Sequence, residues 1–109
     1  MAFTYSVQLY SVRTVLEQDF TSVLQKIKLM GYSGVEGAGE FKFSASELKN
    51  ALFGTGLEIV GYHAPWAYVQ DDKLKSTIEY LRILGSKYLI IPSLPAEITK
   101  TIDDWKRIA

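Results

Sequence analysis

Apolar positions along the chain follow two periods, and the two alternate. Phe20, Val23, Leu24, Ile27 and Met30 recur every three or four residues, the spacing of one face of an α-helix. Asp19 or Thr21 stands where that helix needs a capping oxygen. A second helix is expected from Ser44-Ala45-Ser46-Glu47 onward, with Leu48, Ala51 and Leu52 turned inward. Ser44 and Glu47 have the spacing of a capping box. A third starts at Asp71 or Asp72 and carries Leu74, Ile78, Leu81 and Leu84 on its inner stripe. A fourth runs from Ala96 to Ala109 on Ile98, Ile102, Trp105 and Ile108. Short β-branched and aromatic runs between these patterns predict strands near Tyr5–Tyr10, Gly34–Gly37, Glu58–His63 and Tyr88–Pro92. The run Tyr88-Leu89-Ile90-Ile91 is almost continuously apolar, as suits a parallel strand covered on both faces.

A repeated grammar links these pieces. Leu29-Met30-Gly31, Phe53-Gly54-Thr55-Gly56 and Leu84-Gly85 each end a helical pattern on a glycine, and a strand pattern follows. Glycine just past a helix end takes the left-handed cap without steric cost. The interval from Gly31 to Gly56 to Gly85 suits one βα unit each. Four such units imply right-handed crossovers and a parallel sheet. Two architectures fit this order: half of an eight-stranded βα barrel, or a small open doubly wound sheet. No linker, low-complexity stretch or second domain interrupts the pattern.

Length and composition narrow the function classes. The 109 residues suit one domain. Twelve basic and twelve acidic residues cancel, and no Lys/Arg run offers the basic stripe that nucleic acid demands. With no cysteine, disulfides, thiolate metal sites and cysteine nucleophiles are excluded. No apolar run approaches the roughly 20 residues of a membrane span. Met1 to Tyr10 has neither the basic start nor the apolar core of a signal peptide. A cytoplasmic protein with neither nucleic acid nor membrane as partner is expected.

In either architecture chemistry gathers where strands run out into loops. His63, the only histidine, ends a strand just before Pro65 and Trp66. It suits proton shuttling or metal binding, or else a packed histidine lining the mouth. Glu36 lies within an apolar strand, where a carboxylate must be paired, hydrogen-bonded or protonated. It is a candidate base or substrate ligand, or a structural carboxylate tied to backbone N–H groups or to Arg13. Gln8, Tyr10 and Arg13 form a polar cluster at the first strand's exit. Arg13 could grip a phosphate or carboxylate through two contacts, or be a solvated loop charge. Trp66 and Tyr68 could stack on a sugar ring or close the top of the core. Gly34-Val35-Glu36-Gly37-Ala38-Gly39 contains a glycine-rich turn but lacks the spacing of a dinucleotide fingerprint, and no P-loop Gly-Lys-Ser/Thr follows. Asp71-Asp72 and Asp103-Asp104 are better explained as caps and solvated faces than as metal ligands.

Four segments in order carry a family resemblance: Val7-Gln8-Leu9-Tyr10-Ser11-Val12-Arg13, Met30-Gly31-Tyr32-Ser33-Gly34-Val35-Glu36, Tyr62-His63-Ala64-Pro65 and Leu84-Gly85-Ser86-Lys87-Tyr88. Together they resemble the N-terminal half of the sugar phosphate isomerase/epimerase proteins. These belong to the xylose isomerase-like barrel superfamily, which also includes endonuclease IV. The resemblance covers essentially the whole chain and favours the barrel. It implies an α/β fold, a parallel (βα)4 half of a TIM (β/α)8 barrel, with residues 1–109 as a single N-terminal half-barrel that stops inside its fourth helix. The implied activity is metal-assisted proton transfer between adjacent carbons of a sugar or sugar phosphate. Glu36 and His63 match the family's second-strand glutamate and third-strand histidine and are the catalytic candidates. Tyr10 and Arg13 lie at the same mouth and join Gln8 and Trp66 as substrate-binding candidates. A divalent metal (Mn²⁺, Mg²⁺ or Zn²⁺) is expected of the complete barrel, but its ligands come mostly from later strands, so no metal ligand is expected within this chain. The chain alone is expected to be inactive and to self-associate through open sheet edges, as a homodimer with two-fold symmetry. The alternatives are a non-catalytic half-barrel whose role is assembly, and an endonuclease IV-like nuclease, against which the neutral charge and single histidine count.

Overall fold

Strands and helices alternate through the computed structural model, which describes residues 3–109. β1 (Ser6–Gln8) leads through a 3-10 turn at Leu9–Val12 into α1 (Arg13–Gln18) and α2 (Phe20–Leu29). β2 (Gly34–Ala38), α3 (Ala45–Thr55), β3 (Glu58–His63), α4 (Leu74–Leu84), β4 (Leu89–Ile90) and α5 (Ile102–Ile108) follow. Gly31, Gly56 and Gly85 all adopt positive φ, at 97°, 76° and 89°, and so close their helices as the repeated pattern predicts.

The strands form one parallel sheet in the order β1-β2-β3-β4. This order separates the two candidate architectures. A doubly wound sheet reverses its winding partway, which puts helices on both faces. Here every crossover steps one strand in the same direction, and crossovers of one hand then lay every helix on one face. That is the plan of a half-barrel, and the doubly wound alternative falls. The core lies between the sheet's outer face and the helices: Val35 and Tyr62 from the strands meet Val23, Leu24 and Ile27 of α2, Leu48 and Leu52 of α3, and Leu81 and Leu84 of α4.

Several local expectations are corrected. β1 ends at Gln8 rather than Tyr10, because Leu9–Val12 turns into a 3-10 segment whose Leu9 is buried. α1 was not anticipated, since no residue of it is buried and it carries no inward stripe. α2 is capped by Asp19, whose side chain accepts from the Ser22 N–H at 3.1 Å, but Met30 is exposed. α4 begins at Leu74, and Asp71 and Asp72 lie in the preceding turn rather than at its cap. Ile78 is exposed; Thr77 takes the buried place, because its hydroxyl can donate to the Tyr68 carbonyl at 2.7 Å. The expected fourth helix is split into a 3-10 turn at Ala96–Ile98 and α5, where a Thr101–Asp104 capping box restarts the helix. Ile102 and Trp105 on that helix are exposed. The Ser44–Glu47 capping box forms as expected.

Candidate functional site

Register brings three polar side chains together. Gln8 pairs with Glu36 across β1 and β2, and Ala38 pairs with His63 across β2 and β3. Side chains alternate between the faces of a strand, so Gln8, Glu36 and His63 all project from the face that no helix covers. A shift in pairing between Val35 and Glu36 sets Val35 opposite Ile59 but Glu36 opposite Gly61. Val60 is thereby left over, as in a β-bulge, which re-aims the end of a strand. A Cβ on Gly61, opposite Glu36, would lie 3.1 Å from Ile90.

His63 Nε2 lies 2.7 Å from Glu36 Oε2. Gln8 Nε2 lies 3.2 Å from His63 Nδ1 and 3.0 Å from Nε2. With its hydrogen on Nε2, the imidazole donates to the carboxylate and leaves Nδ1 bare as an acceptor for the Gln8 amide, which lies against both ring nitrogens. Oε1 of Glu36 has no partner among the described residues, and the Glu36 side chain keeps 34% of its surface exposed against 14% for His63. A carboxylate is therefore oriented on one oxygen and open on the other. Glu36 is tied to His63 and not to Arg13.

The rim carries the other candidates. Arg13 donates from Nη1 to the Tyr10 carbonyl at 2.8 Å and stacks over the Tyr10 ring at 4.0 Å, a cation–π contact. Both residues are exposed and line a cleft of about 410 Å³ whose other walls include Leu9, Phe20, Phe43 and Tyr62. Glu36 and His63 do not line it; Gly37 and Ala38 form its wall beside them. Trp66 begins the 3-10 turn three residues after His63 and is half-buried. The Trp66 ring stacks on no other described aromatic ring. Tyr68, the second stacking candidate, packs edge-on to Phe41 at 4.9 Å and closes the core.

Sequence reasoning missed an aromatic cluster behind the site. Phe41 stacks on Tyr80 at 3.7 Å and meets Tyr62 edge-on at 5.1 Å. The Tyr62 hydroxyl donates to the Gly39 carbonyl at 3.3 Å, and the Tyr80 hydroxyl to the Phe43 carbonyl at 2.8 Å. The β2–α3 loop is thus anchored at both ends. Gly37 is required here: a Cβ on it would lie 2.3 Å from the Tyr62 ring. Burial first, then the neighbouring Tyr80 and Tyr68, push the Tyr62 phenol well above its ordinary value. Tyr80 is raised too, by burial and then by the Glu47 carboxylate. The only usable signal was the glycine at Gly37 inside a strand pattern, which marks a close approach.

Among the described residues no group of three or more His, Asp or Glu side chains gathers to hold a metal ion, and no helix is long and apolar enough to cross a membrane.

No family model matches the sequence, and no curated protein matches it. Among solved structures, the fold matches a sugar phosphate isomerase/epimerase from Parabacteroides distasonis with a TM-score of 0.82 and 22% identity. The match covers 96% of this chain and 43% of that one, so the chain spans less than half the length of that protein. At such identity the likeness establishes the fold.

Proposed function

We propose that the chain supplies one half of the site of a sugar or sugar phosphate isomerase/epimerase, with Glu36 as the group that meets the substrate. The observation that carries this reading is the 2.7 Å Glu36–His63 contact, backed by Gln8, at the ends of three successive parallel strands. Active sites of βα barrels sit at that end of the strands. Moving a proton between adjacent sugar carbons requires a base beside the carbon and donors to its oxygens. The open oxygen of Glu36 suits the base or a hydroxyl acceptor. His63 positions the carboxylate through Nε2–H, and Gln8 fixes the imidazole. Arg13 keeps guanidinium N–H groups free of Tyr10 for a phosphate or hydroxyl at the rim, and Trp66 offers a flat apolar surface. The fold shared with a protein named as a sugar phosphate isomerase/epimerase supports the substrate class.

The residues present do not by themselves fit a divalent metal. Glu36 and His63 are two donors already spent partly on each other, where such ions take four to six ligands. Mn²⁺, Mg²⁺ or Zn²⁺ would join only with ligands from further strands, and would then polarise a substrate oxygen. The chain alone is accordingly expected to bind a sugar without turning it over.

Titrating the chain with ketose and aldose phosphates while following the His63 ring resonances tests this reading. Millimolar sugar should move them, and Glu36→Gln should abolish the response. Ring resonances that no sugar moves would overturn the assignment.

A further inference from the structure

We propose that the cleft on the helix side of the sheet is a second binding site, and that it takes a small aromatic monocarboxylate. The inference does not use the isomerase reading, and Arg13 is the one side chain asked to bind in both.

The cleft is separate from the Gln8–Glu36–His63 cluster. Gly37 follows Glu36 along β2 and so turns the opposite way, against the Tyr62 ring. Phe20 of α2, Leu48 of α3 and Tyr80 of α4 line the cleft together with Tyr62, so it opens between the sheet and its helices. Its walls run from Leu9 to Tyr80, and β2 at their centre has both its neighbours, β1 and β3. The cleft is therefore not a by-product of the sheet's open edges.

Its size and lining suit a small ring. At about 410 Å³ it falls within the roughly 300–1,000 Å³ of ligand pockets, which are mostly apolar with a few placed polar groups. Leu9 and Leu48 are buried in its lining. Phe20 and Phe43 stand with ring centroids 4.8 Å apart, tilted at 46°, and Phe43 keeps 41% of its surface exposed. A flat ring entering the cleft gains face or edge contacts with this pair. The walls are already held. Lys42 of the β2–α3 loop pairs with Glu17 of α1 at 3.2 Å, which ties one side of the cleft to the other. A pre-formed cleft spares its ligand the cost of ordering the walls.

Charge at the rim selects the ligand's polar end. Among the described residues Arg13 has no carboxylate partner. Its hydrogen bond to the Tyr10 carbonyl and its contact with the Tyr10 ring hold the guanidinium in place and use only Nη1 and one face. The remaining N–H donors suit a carboxylate, which a guanidinium grips through two parallel contacts. Lys42 is spent on Glu17. Glu40 also lines the cleft without an ionic partner among the described residues, and its charge disfavours a ligand with two negative charges, such as a phosphate monoester. One carboxylate on one ring fits both the walls and the rim.

Phenylacetate is the probe, titrated into the intact chain while the Phe20, Phe43 and His63 ring resonances are followed. It should move the two phenylalanines saturably and leave His63 in place, which separates this site from the sugar site. Acetate lacks the ring and 2-phenylethanol lacks the charge; each should bind about tenfold more weakly or worse. Arg13→Gln changes an exposed side chain, should keep the circular dichroism, and should bring phenylacetate down to the level of 2-phenylethanol. Phenylacetate that moves neither phenylalanine would overturn the inference. So would acetate or 2-phenylethanol binding as tightly, a His63 response that accompanies the phenylalanines, or undiminished binding to Arg13→Gln.

Discussion

Gly37 and Tyr62 decide how the loop over the site is held. The Tyr62 ring lies where a Cβ of residue 37 would go, and Phe41 at 5.1 Å limits its retreat. Gly37→Ala therefore forces an overpacked contact and is expected to cost about 1–3 kcal/mol, read by urea unfolding. The same tyrosines set the alkaline limit. Both Tyr62 and Tyr80 have phenols raised above the ordinary 10.0. Above that pH the unfolded chain loses phenolic protons that the folded chain keeps, so the folded state binds more protons and stability falls as pH rises. The stabilisation is complete below about pH 10 and is lost progressively above it. Unfolding measured between neutral pH and the alkaline range should show the decline, and Tyr62→Phe should flatten it. At this scale Glu36 and His63 were legible, because a charged or titratable residue at the end of an apolar strand has few bland explanations. Their contact was not, because it depends on the register shift beside Val60, which neither period nor propensity reveals.

Helix ends were more legible than helix faces. Ser44 and Glu47 close their box as the spacing required, with contacts of 3.1 and 2.8 Å. Ser44→Ala should cost about 1 kcal/mol, seen as a lower melting temperature with the site geometry intact. The inner stripe of α4 was misread at one position for a physical reason. Periodicity counts apolar residues only, and so it chose Ile78. Thr77 is buried because the Tyr68 carbonyl needs a donor, and a hydroxyl supplies it at 2.7 Å. Thr77→Val keeps the shape, leaves that carbonyl unpaired, and should destabilise by about 1–3 kcal/mol; melting curves and loss of amide protection around Tyr68 would check it. The 3-10 turn at Leu9–Val12 was hidden by its composition, which reads as strand, while tertiary packing of Leu9 bends it away.

For the molecule as a whole, the alternation of strand and helix was readable along the chain, but the choice between half-barrel and doubly wound sheet was not. That choice lies in strand order, a long-range property that the strand order 1-2-3-4 settles. The core between that sheet and its helices includes no residue of α5. This helix is held by its own contacts: the Thr101–Asp104 box, the Asp104–Arg107 pair and a 3.9 Å Lys106–Asp103 pair. None of its residues is buried. Removing residues 102–109 should then change the stability of the chain by about 0.5 kcal/mol or less, the scale of surface changes. Urea unfolding of the shortened and intact chains checks it: matching midpoints are expected, and a loss of several kcal/mol would mean that α5 packs on the core.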